Sequence, residues 1–230
     1  MTPFVPDWKL IRRREKAIRA LLHRHPNLSS EDNTFLTTRL QIPVQWIHES
    51  LAASLASSGG AWGEYHALLK AELWNRAHRV LIDKLAPEAV LRGDTALLGR
   101  LCEALVGKVD GWEYGGQLFI DYINTTTEIP ILLKEALTNR QIQPRLSQLA
   151  NDLPRLLRLL PALFPGEGVQ SVACLSDMLS GLHHLAGQLS LAGLMSRPAV
   201  SDVMVDVDRL HLLQGGAFDA FSAALEGVTA

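Results

Sequence analysis

The apolar residues Leu73, Trp74, Ala77, Val80, Leu81 and Leu85 recur with a period near 3.6, which predicts a helix from about Leu73 to Leu85. Asn75, Arg76, Arg79 and Asp83 fall on its opposite face. Pro87 disfavours a helical conformation at Ala86, so the helix is expected to end there, and Pro87 then suits the first turn of a short helix, Glu88 to Leu91. Gly93 can take the left-handed conformation that closes that helix, and Asp94 can cap the next. The next helix carries Leu97, Leu98, Leu101, Cys102 and Leu105 on one stripe and stops at Gly107. After a loop from Gly107 to Gly111, Trp112 opens a helix through Leu118, Phe119, Tyr122 and Ile123. Gly115 and Gly116 disfavour a helix interior by roughly 1 kcal/mol each, so either another group packs close there or the helix begins later. Trp74, Leu81, Leu101 and Phe119 are expected in the core.

The same reading applies on both sides. A helix from about Lys9 to His25 places Ile11, Ile18, Leu21 and Leu22 inward and ends at His25-Pro26. Ser30 is expected to cap a short helix through Phe35 and Leu36. Pro43 opens another, Val44 to Ala56, with Trp46, Ile47, Leu51 and Leu55 on one face. Ser57 to Gly60 is the length of a helix–helix turn. The threonines in Asn124 to Glu128 break the pattern before a short helix from Ile131 to Leu137. Pro144 begins the next, where Leu146, Leu149, Leu153, Leu156, Leu157 and Leu160 form a seam. Pro154 inside it implies a second piece capped by Asn151 or Asp152. Pro161 to Gly168 reads as a turn. A long helix from Val169 to Leu189 follows, with Val172, Leu175, Leu179, Leu182, Ala186 and Leu189 on one face. Val203 to Val207 favours helix over strand, and Gly215-Gly216 separates it from a last short helix. The expectation is an all-α chain of roughly ten helices in stacked antiparallel hairpins, an α-solenoid, forming a single domain over residues 1–230.

Hydrophobic residues make up 47% of the 230 residues and charged ones 20%, which excludes a disordered chain. The formal net charge is −2, without the basic excess expected of a nucleic-acid binder. Cys102 and Cys174 lie on apolar stripes and read as small buried hydrophobes in a reducing compartment. No apolar run approaches the roughly 20 residues that span a bilayer. These features describe a soluble intracellular chain. Nothing before Trp8 looks like a natural amino terminus.

Candidate chemistry is thin. His183 and His184 are adjacent, so they point about 100° apart on a helix, whereas helical metal pairs sit at i, i+4. His66 and His78 lie on apolar faces and read as core histidines. Arg92-Gly93-Asp94 matches the integrin-binding tripeptide, but capping accounts for the glycine and the aspartate. Asp202, Asp206 and Asp208 lack calcium-loop spacing. Arg12-Arg13-Arg14 reads as a solvated helix face partly paired with Glu15, rather than as a nuclear-localisation or phosphate-binding run. No catalytic residue, cofactor or metal is expected.

The order of words in Trp62 to Tyr122 carries a resemblance. Trp74-Asn75-Arg76-Ala77-His78, Leu85-Ala86-Pro87-Glu88-Ala89-Val90, Gly93-Asp94 and Val109-Asp110-Gly111-Trp112 resemble the carboxy-terminal helical region of nucleoporin-96, whose fungal form is the carboxy-terminal fragment of nucleoporin-145. The resemblance implies a tail module of ancestral coatomer type and a location at the nuclear pore complex of the nuclear envelope. It also implies a structural, non-enzymatic part at the hub of the Y-shaped scaffold complex, supporting nucleocytoplasmic transport of mRNA and protein. The implied partners are the helical tails of the nucleoporin-120/160 and nucleoporin-85 families, with no direct nucleic acid and no membrane insertion. No His-Phe-Ser self-cleavage tripeptide and no Phe-Gly dipeptide occurs. A fragment is therefore expected, and binding to the Sec-thirteen protein is expected only through a missing amino-terminal part. A helical vesicle-coat or tethering subunit is the alternative, and an all-α enzyme a more distant one. The apolar carboxy-terminal stripe Leu210, Leu213, Phe218, Phe221 and Leu225 is the candidate partner surface.

Overall fold

The computed structural model describes residues 8–135, 142–164 and 168–191. Among these, the regular structure is helical throughout, as the apolar periodicity requires. Their contacts gather into two compact units. One holds the residues up to Leu85 with Leu105–Asp110, and the other holds Ala86–Ala104 with the residues from Gly111 on.

The first unit contains α1 (Trp8–Arg24), α2 (Ser30–Thr38), α3 (Val44–Ser58), α4 (Ala61–Lys70), α5 (Trp74–Val80) and a π-helical turn, Leu81–Leu85. Gly59, at φ 79°, ends α3 in the left-handed conformation, and α4 folds back on α3 across Gly59 and Gly60 as an antiparallel hairpin. Ile47 and Ala52 of α3 and Tyr65 and Leu68 of α4 are buried, and α1 packs on α3 through Leu22. The cap of α2 is Ser29, not Ser30. Ser29 is extended, its hydroxyl accepts from the Asp32 N–H at 3.1 Å, and the Asp32 carboxylate accepts from the Ser29 N–H at 3.1 Å. Counting from Ser30 would place Asn33 where this reciprocal box needs an acid.

Leu81 is fully buried, but Trp74 is only half-buried, contrary to expectation. It stands at the start of α5 with Lys108 Nζ 4.4 Å from its ring centre. The expected break at Ala86 does not occur either, because helical residues run from Trp74 to Leu91 through the π-helical turn. Pro87 has no N–H for the carbonyl four residues back, and its ring crowds that carbonyl. A wider turn just before it lets the chain stay helical.

The second unit contains α6 (Ala86–Leu91), α7 (Thr95–Glu103), a 3-10 turn (Trp112–Tyr114), α8 (Gly116–Glu135), α9 (Gln143–Leu163) and α10 (Val169–Leu191). Gly93 has φ 69°, and the Asp94 carboxylate accepts from the Leu97 N–H at 2.9 Å, as the sequence predicts. Helix α8 does begin late, at Gly116, and a Cβ on Gly116 would overlap the Trp112 ring. Leu101 and Phe119 are buried.

Two expected breaks are absent. Helix α8 runs through Thr125, Thr126 and Thr127, whose hydroxyls donate to the carbonyls of Asp121, Tyr122 and Ile123 at 2.6, 2.8 and 2.6 Å. Bonding back one turn keeps this run of threonines helical. Helix α9 runs through Pro154 and on past Pro161 to Leu163. An interior proline costs about 3 kcal/mol. The six seam leucines, all buried, return roughly 1.5–3 kcal/mol each and outweigh it. On α10 the buried stripe is Cys174, Met178, Leu182, Leu185 and Leu189, spaced 4, 4, 3 and 4, while Val172 is exposed and Leu175 half-buried. This stripe packs α10 on α8 and α9 and also on α6, far back in sequence. The unit is therefore not a strict row of sequence neighbours.

Candidate interaction surfaces

The expected partner stripe, Leu210, Leu213, Phe218, Phe221 and Leu225, lies outside the described residues, as does Val203 to Val207. Among the described residues, three surfaces stand out.

The first is a polar cleft of about 370 Å³ between α8 and α9. Gln117, Asp121 and Asn124 face Arg145, Gln148, Asp152 and Arg155 across it. Much of the lining is spoken for internally. Trp112 Nε1 donates to Gln117 Oε1 at 3.1 Å, and Gln117 Nε2 donates to Asp121 at 2.7 Å. Arg145 grips both oxygens of Glu128, at 2.9 and 3.0 Å, and reaches Gln148 at 3.3 Å. Its lining has no serine, cysteine or histidine, and its carboxylates are Glu113, Asp121 and Asp152. Its geometry is that of a polar seam joining two helices.

The second surface is α2, none of whose residues is buried. Phe35 is 55% exposed, and Leu40, just beyond the helix, is 50% exposed. The sequence placed Phe35 and Leu36 in a helix but gave no stripe to orient it. The third is α1, whose Arg12, Arg13, Arg14, Lys16 and Arg24 are all exposed. Arg19 alone turns inward. Its Nη1 meets Glu49 at 2.8 Å, and its guanidinium lies 4.6 Å from the centre of the Trp46 ring. Arg76 reaches the other oxygen of Glu49 at 3.5 Å.

The titratable groups behave as packing residues. Burial pushes the Cys102 and Cys174 thiols up to about 12, with Glu103 and Asp177 adding to the respective shifts. Both cysteines are free and fully buried. Tyr122 is likewise pushed up to about 12, first by burial and then by Asp177 and Cys174. Burial lowers His78 from its ordinary value, and it lowers His48 with help from Lys70. The Nδ1 atom of His48 is buried without a hydrogen-bond partner. His66, expected in the core, is exposed, while its neighbours Tyr65 and Ala67 are buried. His184 is exposed and bonds Gln188 at 3.0 Å. Among the described residues, no group of three His, Cys, Asp or Glu side chains can hold a metal ion. None of their helices is long and apolar enough to cross a membrane. In the integrin-like tripeptide, Arg92 pairs with Glu88 at 2.7 Å.

The described residues form an all-α, solenoid-like stack of helices with buried thiols. The sequence profile of the family described as Nuclear protein 96 matches residues 9–54, the span of α1 to α3 up to Ser54. The nucleoporin nup189 of Schizosaccharomyces pombe is 29% identical over 65% of this chain and 9% of its own length. The nuclear pore complex protein Nup98-Nup96 of Drosophila melanogaster is 27% identical over 70% of the chain and 9% of that protein. Its namesake in Dictyostelium discoideum is 30% identical over 62% and 7%. The chain thus spans less than a tenth of the length of these relatives. These matches support a family of the Nup96 type, that of nucleoporin-96 and the fungal nucleoporin-145 carboxy-terminal fragment.

Proposed function

We propose that this chain is a structural component of the nuclear pore complex, at the nuclear envelope, a helical module of a larger scaffold nucleoporin. It joins other helical nucleoporins at the hub of the Y-shaped complex and so supports nucleocytoplasmic transport. The observation that carries this reading is the family relationship. The packing agrees with it: two units of packed helices, held by leucine seams, with surfaces such as α2 left uncovered. Helical stacks of this kind bury their cores between neighbours and offer ends and flanks to partners.

The partners in this reading are the helical tails of the nucleoporin-120/160 and nucleoporin-85 families, met through Leu210, Leu213, Phe218, Phe221 and Leu225. Aromatic anchors in such interfaces commonly cost about 2 kcal/mol or more on truncation, roughly thirtyfold in affinity. The test is the full chain with Phe218→Ala and Phe221→Ala, measured for binding to both purified tails and for melting temperature. Lost binding at unchanged melting supports the stripe as the interface. A lowered melting temperature with binding intact assigns the stripe to the chain's own fold. Failure of the unsubstituted chain to bind either tail overturns the hub role.

A further inference from the structure

The near-neutral total charge conceals a segregation. The 17 residues of α1 carry seven basic side chains and one acidic one. Taking these from the 22 basic and 24 acidic residues of the whole chain leaves 15 against 23. The remaining residues are therefore strongly acidic, and α1 is a cationic rod. At 100° per residue, four exposed cations, Arg12, Arg13, Lys16 and Arg24, fall within a sector of about 120° centred opposite Leu22 and Ile18, the residues that pack towards α3, and Lys9 and His23 fall in the same sector. Ala20 sits near the middle of that sector and Ala17 at its rim, while Glu15, the helix's one carboxylate, is exposed about 60° outside it, one turn from Arg12. All four cations are exposed, and none of them forms an ion pair among the described residues.

We propose that this outward face of α1 docks on the phosphate backbone of duplex DNA. Charge complementarity is the first reason, and three features single out this polyanion. A protein partner needs an apolar anchor at the centre of the contact, and this face offers only alanines there. A phosphate backbone needs no anchor, only cations, and small residues between them allow close approach. Insertion into a lipid surface uses the apolar face of a helix, and here Leu22 is buried and Ile18 half-buried against the fold, leaving Leu21 as the exposed large apolar side chain among the described residues of α1. Single strands are held by stacking on aromatic rings, and the described part of this face carries no Phe, Tyr or Trp, only the imidazole of His23 between Arg12 and Lys16. Arg12 to Arg24 span about 18 Å along the helix, enough to follow several phosphates of one strand. Three of the four cations are arginines, whose planar fork matches phosphate oxygens two at a time. Sequence composition alone argued against nucleic acid because the acidic remainder cancels α1 in the total.

The test uses the full chain and a labelled mixed-sequence DNA duplex, with affinity measured against salt concentration. Four phosphate contacts predict a log–log slope of about −3.5, or about a hundredfold loss between 50 and 200 mM salt. Replacing Arg12, Arg13, Lys16 and Arg24 by Gln together should weaken low-salt binding at least tenfold and flatten the slope. Arg79→Gln with Arg158→Gln, exposed cations elsewhere, should change neither. If the fourfold variant melts at a lower temperature, Arg13→Gln and Lys16→Gln singly should each reduce the slope by about one. Unchanged affinity in these variants overturns the proposal. So does tighter binding at matched charge to single-stranded DNA, to polyglutamate or to phosphatidylserine vesicles.

Discussion

At the scale of single residues, Gly116 has the sharpest constraint. The Trp112 ring occupies the space of its missing Cβ, and Trp112 is held there by its bond to Gln117. Gly116→Ala should destabilise the chain by about 1–3 kcal/mol, the range for overpacking, despite alanine's better helix propensity. A urea midpoint equal to that of the parent would refute this placement. Leu81→Ala should cost about 2–5 kcal/mol. Trp74→Ala should cost clearly less, since Trp74 is half-buried. The histidines give a pH dependence with a definite sign. Both His48 and His78 are lowered below 6.5, so the fold favours their neutral forms. Their contribution is complete above 6.5 and is lost as pH falls through their lower folded values. The melting temperature should hold from pH 8 to 7 and decline below 6.5, before the carboxylates titrate. His48→Gln with His78→Gln should flatten that decline.

At the scale of elements, α2 is a helix with its own terminus chemistry and no burial. Ser29→Ala removes the reciprocal cap, typically about 1 kcal/mol, and releases Asp32, whose carboxyl the two Ser29 bonds hold below its usual value. Because nothing in α2 is buried, the loss should appear as faster amide exchange in residues 30–38 with little change in global melting. A large fall in melting temperature would mean that α2 supports the core. Helix positions and punctuation by glycine and aspartate were legible in the sequence, because Gly93, Asp94 and the leucine seam act locally. The continuity of α8 and α9 was not. Three threonines and Pro154 are locally unfavourable; the threonine hydroxyls bond back one turn in α8, and the leucine seam of α9, packed on α8 and α10, offsets the proline. The family profile falls on α1 to α3, outside the Trp62 to Tyr122 words that carried the resemblance in the sequence. The orientation of α2 needed the fold, because it leaves no apolar stripe to read, whereas the basic run and the apolar stripe of α1 were both visible in the sequence and only the total charge concealed their segregation.

At the scale of the whole molecule, the two thiols report on its opening. Cys102 and Cys174 belong to the same unit, both have no exposed surface, and both are pushed up to about 12. Only thiolate attacks an alkylating or disulfide reagent, and at pH 8 the buried thiols are almost wholly protonated. Labelling of the native chain should therefore proceed only through open states, in which the thiols return to their ordinary range and become accessible. Two thiols should react at once in denaturant and neither rapidly in its absence. Leu153 is fully buried in the same unit, so Leu153→Ala should lower the opening free energy by about 2–5 kcal/mol. At about 1.4 kcal/mol per tenfold, labelling should accelerate by roughly thirtyfold or more. Rapid native labelling of Cys174 would place it on an accessible face of α10 and undo the stripe Cys174, Met178, Leu182, Leu185 and Leu189. Acceleration of one thiol without the other would mean that α7 and α10 open separately, so that the seam of α9 does not hold the unit as a single cooperative body.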